Sequence, residues 1–333
     1  MKKTPLFLSF LLGGILLIFL LFGLFRYRAS LYSSLQSTGV MVEIAPEMIA
    51  VQIADLLFEK GVIKNKRWFI KTLRKRGVDG KLKAGIYEFR GTLHTSRVIT
   101  MIVKGEIARM KVVIPEGYNL REIAGVLESY KISTRDEFLA FATREGLEGF
   151  LFPDTYLFPI NVKMETVART MVDRFWEVLK EIRSDVDSLS KEELKKIVTI
   201  ASIVEKEAYL KSEKPVIAAI FYNRLRKRIP LQSCSSVIYV IGPRKKLTLS
   251  ETRINSPYNT YRHTGLPPTP ISNPGKDALS AAFFPAKTNY LFFLAKGDGS
   301  HYFSTTYREH LAAKNRYQTL SSSDSGSTQE VRE

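Results

Sequence analysis

The residues best suited to chemistry lie in "KKIVTIASIVEKEAYLK", Lys195 to Lys211, where Glu205 and Glu207 interrupt an otherwise apolar run. If the run is a helix, each residue advances it by about 100°. With Ala201 at zero, Leu194, Ile197, Val198, Val204 and Ala208 fall within about 60° of it, which makes an apolar stripe. Glu205 falls inside that stripe at about 40°, whereas Glu207 lies about 120° to the other side. Ile200 and Ile203 lie off the stripe, so the helix is expected to be covered on more than one side. A carboxylate on a covered face is costly to leave unpaired. The helix leaves two readings open. Glu205 is either a structural carboxylate paired with an Arg or Lys, or a carboxyl group that desolvation turns into a proton donor near neutral pH.

Other chemistries have little support. The four histidines, His94, His263, His301 and His310, show no His-x-x-x-His spacing, and the single cysteine, Cys234, allows no Cys-x-x-Cys pair. No metal site or other cofactor is expected. There is no Gly-x-Ser-x-Gly elbow and no phosphate-binding glycine loop. One cysteine also excludes an intrachain disulfide framework. The net charge of +17 favours a polyanionic partner, which could be nucleic acid, anionic lipid or an anionic cell wall. The basic residues are dispersed and form no nucleic-acid motif, so a nucleic-acid partner is not expected.

The elements that must carry this site begin with an apolar run, "LFLSFLLGGILLIFLLFGLF", from Leu6 to Phe25. It is uncharged and about long enough to cross a bilayer as a helix. Each Leu, Ile or Phe near its centre favours insertion by roughly 0.3–0.6 kcal/mol. It is longer than the usual core of a signal peptide, and no clear small-x-small cleavage site follows, so an uncleaved signal anchor is expected. Lys2 and Lys3 before the span are balanced by Arg26 and Arg28 after it. A large domain translocates largely regardless of its charge, which leaves an exported C-terminal part open.

After a polar connector from Ser30 to Gly39, the chain repeats at a spacing of about 70 residues. "IAPEMIAVQIADLLFEKGVI" from Ile44 matches "IPEGYNLREIAGVLESYKI" from Ile114. Ile53, Ala54 and Leu57 align with Ile123, Ala124 and Leu127, and Pro46-Glu47 with Pro115-Glu116. Each copy reads as strand, two short helices, strand, helix, an α+β arrangement whose core looks like the LysM module. LysM is associated with N-acetylglucosamine-containing glycans, but a packing or spacer role is as compatible with the pattern.

Leu189 to Ile229 reads as two helices, the first ending near Lys211. Ser212 is the expected N-cap of the second, with Pro215 in its first turn. "NSPYNTYRHTGLPPTPISNPG" is too rich in Pro, Gly and Asn for a long helix or central strand, and long irregular loops are often functional. Its Tyr258, Asn259 and Tyr261 suit the stacking and hydrogen bonding of neutral sugar rings. "NYLFFLAKGDGSHYFS" reads as a β-hairpin turning at Gly297-Asp298-Gly299, and the tail from Ser321 as disordered.

Taken in order, "PEGYNLREIA", "GFLFPDTYLF", "IASIVEKEA", "FYNRL", "SPYNTYRHTGLPPTPISNPG", "AAFFPAKTNYLFF" and "HYFSTT" resemble the endolytic murein transglycosylases, the MltG or YceG-like family, over nearly the whole chain. The resemblance implies a membrane-anchored lyase that cleaves the MurNAc-β-1,4-GlcNAc bond of peptidoglycan outside the cytoplasmic membrane. It would leave 1,6-anhydroMurNAc ends and would terminate or release nascent glycan strands. The family glutamate maps onto Glu205, the residue that the helical wheel singles out. Gln232, Tyr258, Asn259, Thr260 and Tyr261 are then placed at sugar contact and at stabilising positive charge, Asn223 at orienting Glu205, and His301 at substrate binding. The alternatives are a muramidase that uses water, with Glu207 or an Asp as second carboxylate, and a non-catalytic glycan-binding scaffold.

The implied organisation is a cytoplasmic tip and transmembrane signal anchor (1–28), a LysM-like module (40–110), and a mixed α+β catalytic domain (111–318) whose first part, 111–175, repeats the module. A disordered tail, 319–333, would follow. The partners would be peptidoglycan glycan strands, the cytoplasmic membrane and cell-wall synthesis proteins. The chain departs from the family at "LQSCSSVIYV", where Cys234 and Ser235 stand in place of a family Asp-Pro, and this leaves the role of that Asp open. Nothing nearby in sequence would activate Cys234 as a nucleophile.

Overall fold

The computed structural model describes residues 33–34, 39–243 and 247–324. The expected anchor and cytoplasmic tip, and residues 325–333 of the tail, lie outside these. Among the described residues no helix is long and apolar enough to cross a membrane. The architecture is mixed α+β, in two compact units: the described residues up to Met110 with Leu157–Asn161, and Lys111–Tyr156 with those from Val162 onward.

The first unit runs β1 (Ser33–Ser34), β2 (Val40–Ile44), α1 (Ala50–Glu59), α2 (Lys66–Arg76), β3 (Gly85–Phe89), β4 (Thr92–Leu93) and α3 (Thr95–Lys104). β1 pairs with β4 and β2 with β3, both antiparallel, with Val42 opposite Tyr87 and Val40 opposite Phe89. Strand side chains alternate between faces, so Val42, Ile44, Tyr87 and Phe89 all point to the same buried side. α1 covers them with Ile53, Ala54 and Leu57, α2 with Phe69 and Leu73, and α3 with Val98, Ile99 and Ile102. Each large side chain buried here favours folding by about 1.5–3 kcal/mol.

The same strand–helix–helix–strand order returns as β5 (Arg109–Val113), α4 (Leu120–Ser129), α5 (Arg135–Arg144) and β6 (Thr155–Pro159), with β5 and β6 paired. Asn119 and Thr134 start the two helices with capping boxes closed by Glu122 and Glu137. Ile123, Ala124 and Leu127 are buried, as Ile53, Ala54 and Leu57 are. The turns match in an offset way. The left-handed residue three positions before the helix is Glu47 (φ 69°) in the first copy and Gly117 (φ 77°) in the second. Pro46-Glu47 therefore corresponds to Glu116-Gly117, not to Pro115-Glu116, because the second copy has one more residue between strand and turn.

The second unit continues with α6 (Met164–Ile182), α7 (Lys191–Glu207), α8 (Lys214–Arg226), α9 (Cys234–Ile241), α10 (Lys276–Phe283), the hairpin β7 (Phe292–Ala295) and β8 (His301–Ser304), and α11 (Tyr307–Asp324). α7 is its central helix. Val198, Ala201 and Val204 are buried on one side and Ile200 and Ile203 on another, so the helix is covered on more than one side, as its pattern requires. The hairpin turns where its glycines predict, with Ala295 opposite His301.

Two boundaries differ from expectation. α7 stops at Glu207, and a 3-10 turn, Lys211–Glu213, contains Ser212, so the N-cap of α8 is Glu213, whose side chain does not cap. α11 continues to Asp324, through the first residues of the tail expected to be disordered. The 254–275 stretch is irregular throughout, as its Pro and Gly content dictates. It is stitched to α7 by Ile271 N–H donating to Ser202 Oγ (3.0 Å) and Ser272 Oγ donating to Ser202 O (3.0 Å).

Candidate active site

Glu205 sits in the last turn of α7, where the negative end of the helix dipole disfavours a carboxylate. Its counter-ion is Lys214, whose Nζ lies 2.9 and 3.1 Å from Oε1 and Oε2. Lys214 is itself the first residue of α8, at the helix end that disfavours a cation. The two side chains are 8% and 4% exposed, so two charges at the wrong helix ends satisfy each other out of water. Gly275 N–H, at the start of α10, donates to Glu205 Oε2 at 3.0 Å. The carboxylate is thus oriented from two elements, and Glu205 is an ion-paired carboxylate.

It opens on a cleft of about 330 Å³ that Glu116, Lys206, Glu207, Tyr209 and Lys211 also line. Glu116 comes from the turn before α4. A Cβ built on Gly275 would lie 2.0 Å from Glu116 Oε1, so the Glu116 carboxylate rests against the same backbone that holds Glu205. Partial burial, then the negative charge of Glu205, raises the Glu116 pKa above its ordinary value, while Lys214 and Lys211 oppose the shift. Lys211 pairs with Asp277 at 2.7 Å on an exposed part of the cleft.

Glu207 is held differently. Its Oε1 accepts hydrogen bonds from Ser233 Oγ (2.6 Å) and Ser235 Oγ (2.8 Å) at the start of α9. The positive end of α9 suits this carboxylate. Ser235, at the family Pro position, is therefore bound to Glu207, while Cys234 Sγ, at the family Asp position, contacts Tyr261 OH at 3.0 Å. Burial raises the Cys234 thiol above its ordinary pKa, and burial with the Cys234 contact raises the Tyr261 phenol, so neither ionises near neutral pH.

The remaining loop residues are divided between wall and scaffold. Thr260 is buried, and its Oγ1 accepts from Ser233 N–H and contacts Ser236 Oγ, which fixes the start of α9. Asn259 is fully buried and donates to the carbonyls of Thr252 and Ile254, so its amide braces the loop and is not offered to a sugar. Tyr258 bonds Thr269 Oγ1 and tilts against Tyr239. Gln232 is exposed, and its backbone N–H donates to Thr260 O.

Asn223 does not reach Glu205. Its amide nitrogen donates to Thr288 O and Tyr290 O, both at 2.9 Å, and its oxygen accepts from Arg226. His301 Nδ1 lies 2.6 Å from Glu213 Oε2, and His301 thereby braces the residue that precedes Lys214. Lys214, Gly275 and Glu116 were not singled out by sequence reasoning. The available signal was a lysine opening a helix nine residues after a glutamate that closes one, since each breaks the dipole rule.

A larger groove of about 680 Å³ runs along α4 and α9 and shares Lys206 with the cleft. Behind it, Glu148 is 6% exposed and accepts from Tyr239 OH (2.9 Å), Leu120 N–H (3.3 Å) and Asn273 Nδ2 (3.3 Å). Burial pushes its pKa up to about 7, against the hydrogen bonds from Tyr239 and Leu120. Among the described residues no group of His, Cys, Asp and Glu could hold a metal ion.

This arrangement, one oriented and nearly buried carboxylate at a cleft, can transfer a proton to and from a bound substrate. The profile of the YceG-like family matches residues 42–316. The chain is 31% identical over 326 residues to an endolytic murein transglycosylase of Bacillus subtilis, covering 89% of this chain and 90% of that one. It is 29% identical over 276 residues to an endolytic murein transglycosylase of Streptococcus pneumoniae, covering 69% of this chain and 49% of that longer one. The crystal structure of a YceG-like protein from Listeria monocytogenes, 32% identical, superposes with a TM-score of 0.56 and covers 84% of this chain and all of that one. With a match extending over most of its length and a relative of this similarity, the chain belongs to the YceG-like family.

Proposed function

We propose that this protein is a peptidoglycan lytic transglycosylase that cuts glycan strands internally at the MurNAc-β-1,4-GlcNAc bond. The observation that carries the reading is one carboxylate, Glu205, oriented by Lys214 and Gly275 N–H at the mouth of a cleft. Its relatives bear the name endolytic murein transglycosylase. The ion-paired carboxylate of Glu205 takes up a proton before the reaction, and the protonated Glu205 gives it to the glycosidic oxygen as the C1–O bond breaks. Lys214 and Gly275 stabilise the carboxylate so formed. That carboxylate takes the proton of the muramyl C6 hydroxyl as its oxygen bonds to C1, which restores the acid and closes the 1,6-anhydro ring without water. Nucleophile and electrophile belong to one sugar, so its covalent frame supplies much of the orientation.

In this reading Tyr261 and the exposed Gln232 touch sugar, Tyr258, Asn259 and Thr260 shape the wall, and Asn223 and His301 support it. Residues 6–25 anchor the chain in the cytoplasmic membrane with the catalytic part outside. The two strand–helix–helix–strand elements are LysM-like modules that hold glycan nearby, and the protein releases nascent strands alongside wall synthesis proteins.

One observation favours a second reading, a muramidase that uses water: Glu116 is a second carboxylate on the same cleft. Glu207 suits that role less, because its Oε1 already serves Ser233 and Ser235. Digestion of purified peptidoglycan with mass analysis of the new ends separates the readings. Anhydromuramyl ends support the transglycosylase, reducing muramyl ends the muramidase, and sacculus binding without cleavage a scaffold.

A further inference from the structure

The groove along α4 and α9 is not needed for proton transfer at Glu205, yet it is twice the volume of the cleft, at about 680 against 330 Å³. It adjoins the cleft at two points. Lys206, the residue after Glu205, lines both, and Ser235, which lines the groove, holds Glu207, which lines the cleft. Any strand seated with its scissile bond at Glu205 therefore has this groove beside the reacting sugar.

Its walls are set before any ligand arrives. The buried Glu148 ties together Tyr239 of α9, the first turn of α4 through Leu120 N–H, and Asn273 of the irregular loop. Arg121 donates from Nη1 to Tyr239 O at 2.7 Å and lies over the Tyr239 ring, 5.5 Å from its centre. Fixed walls of this kind lower the ordering cost of binding.

The charges in the groove are unbalanced. Arg135 is paired with Glu128 at 2.6 Å, and Glu122, which accepts from the neutral Asn119 N–H, leaves one anion in the groove against the two cations Arg121 and Lys206. Arg121 and Lys206 donate only to neutral carbonyls, of Tyr239 and Gly117, and form no ion pair among the described residues. Two cations bonded to carbonyls keep their charge available for an anion, and an arginine is suited to gripping a carboxylate.

We propose that this groove binds the acidic stem peptide carried by the muramic acid at the scissile bond, with Arg121 as the main carboxylate contact and Lys206 beside the cleft. The stem hangs from the sugar on which Glu205 acts, it carries free carboxylates, and a groove of this size accommodates a ligand of several residues. The proposal rests on the murein reading above. It makes the protein selective for strands that still carry stems over strands stripped of them.

The test compares KM for uncross-linked glycan strands with stems and for the same strands stripped by an amidase, using the full-length chain. A charge-assisted contact predicts a KM about ten-fold lower for the stem-bearing strands, a ratio that Arg121→Gln brings close to one and Arg121→Lys partly restores. Equal KM values in the unmodified protein, or a preference that survives Arg121→Gln, would overturn the proposal. If neither strand is cleaved, the murein reading fails, and calorimetry with a soluble muramyl peptide decides the groove by itself. Binding that Arg121→Gln or amidation of the peptide carboxylates removes supports the site, and absence of binding rejects it.

Discussion

Glu148 should make the second unit less stable as pH rises through neutrality, and Glu148→Gln should remove that dependence. The carboxyl is buried behind the groove, and its pKa moves from 4.5 to about 7 because burial disfavours its charge. The sign follows from proton binding. Below pH 4.5 both folded and unfolded chains hold the proton, and the contribution is fully present. Between 4.5 and about 7 only the folded chain holds it, so stability falls as pH rises. Above about 7 both have lost it and the contribution is gone. A shift of this size, at about 1.4 kcal/mol per pH unit, amounts to about 3 kcal/mol across the window. The chain has two tryptophans, Trp68 in the first unit and Trp176 in the second. In a Trp68→Phe background, urea unfolding followed by Trp176 fluorescence therefore reports the unit that contains Glu148. The difference in unfolding free energy between Glu148→Gln and its parent should grow by about 3 kcal/mol in favour of Gln from pH 4 to pH 8. A constant difference, or one that favours Glu at high pH, would refute the reasoning.

Glu205→Gln should lower anhydromuramyl production by about 100- to 10,000-fold, since Gln keeps the shape but transfers no proton, and should lower stability by about 3 kcal/mol, because Lys214 is left buried without its counter-ion. Glu207→Gln should instead leave most of the activity and lower stability by about 1 kcal/mol, because it weakens the bonds from Ser233 and Ser235. The reverse ranking would show that the wrong carboxylate has been chosen. Lys214→Met should cost about 3–5 kcal/mol in thermal or urea unfolding, because Glu205 is left buried without its counter-ion. A reporter fused after residue 320 should be active only outside the cytoplasmic membrane, and cytoplasmic activity would reject the anchor assignment.

How much was legible depended on how local the cause was. The face that carries Glu205 follows from helical periodicity, and burial of Ile200 and Ile203 on a second side follows from their apolar character. The hairpin was written in Gly297 and Gly299, and the repeat in the spacing of Ile53, Ala54 and Leu57. The ion pair was not legible, because it depends on how the turn between α7 and α8 folds back, and Ser212 gave a misleading cap there. The position of Glu116 against Gly275 depends on one extra residue before a turn, which the matched Pro-Glu pairs concealed. Asn259 was assigned to sugar because amides suit sugars, and Asn223 to orienting Glu205. An amide suits unpaired backbone carbonyls equally well, and both side chains were used that way.

The irregular 254–275 loop has a thermodynamic consequence. Asn259, Ser272 and Asn273 are fully buried in it and spend their hydrogen-bonding groups on backbone, α7 and Glu148. A segment tied down in this way loses its conformational entropy when the chain folds, so a sugar that docks against it meets a wall already ordered. The binding free energy is then not reduced by a disorder-to-order step, and turnover need not wait for a lid to close over each successive cut in a long polymer.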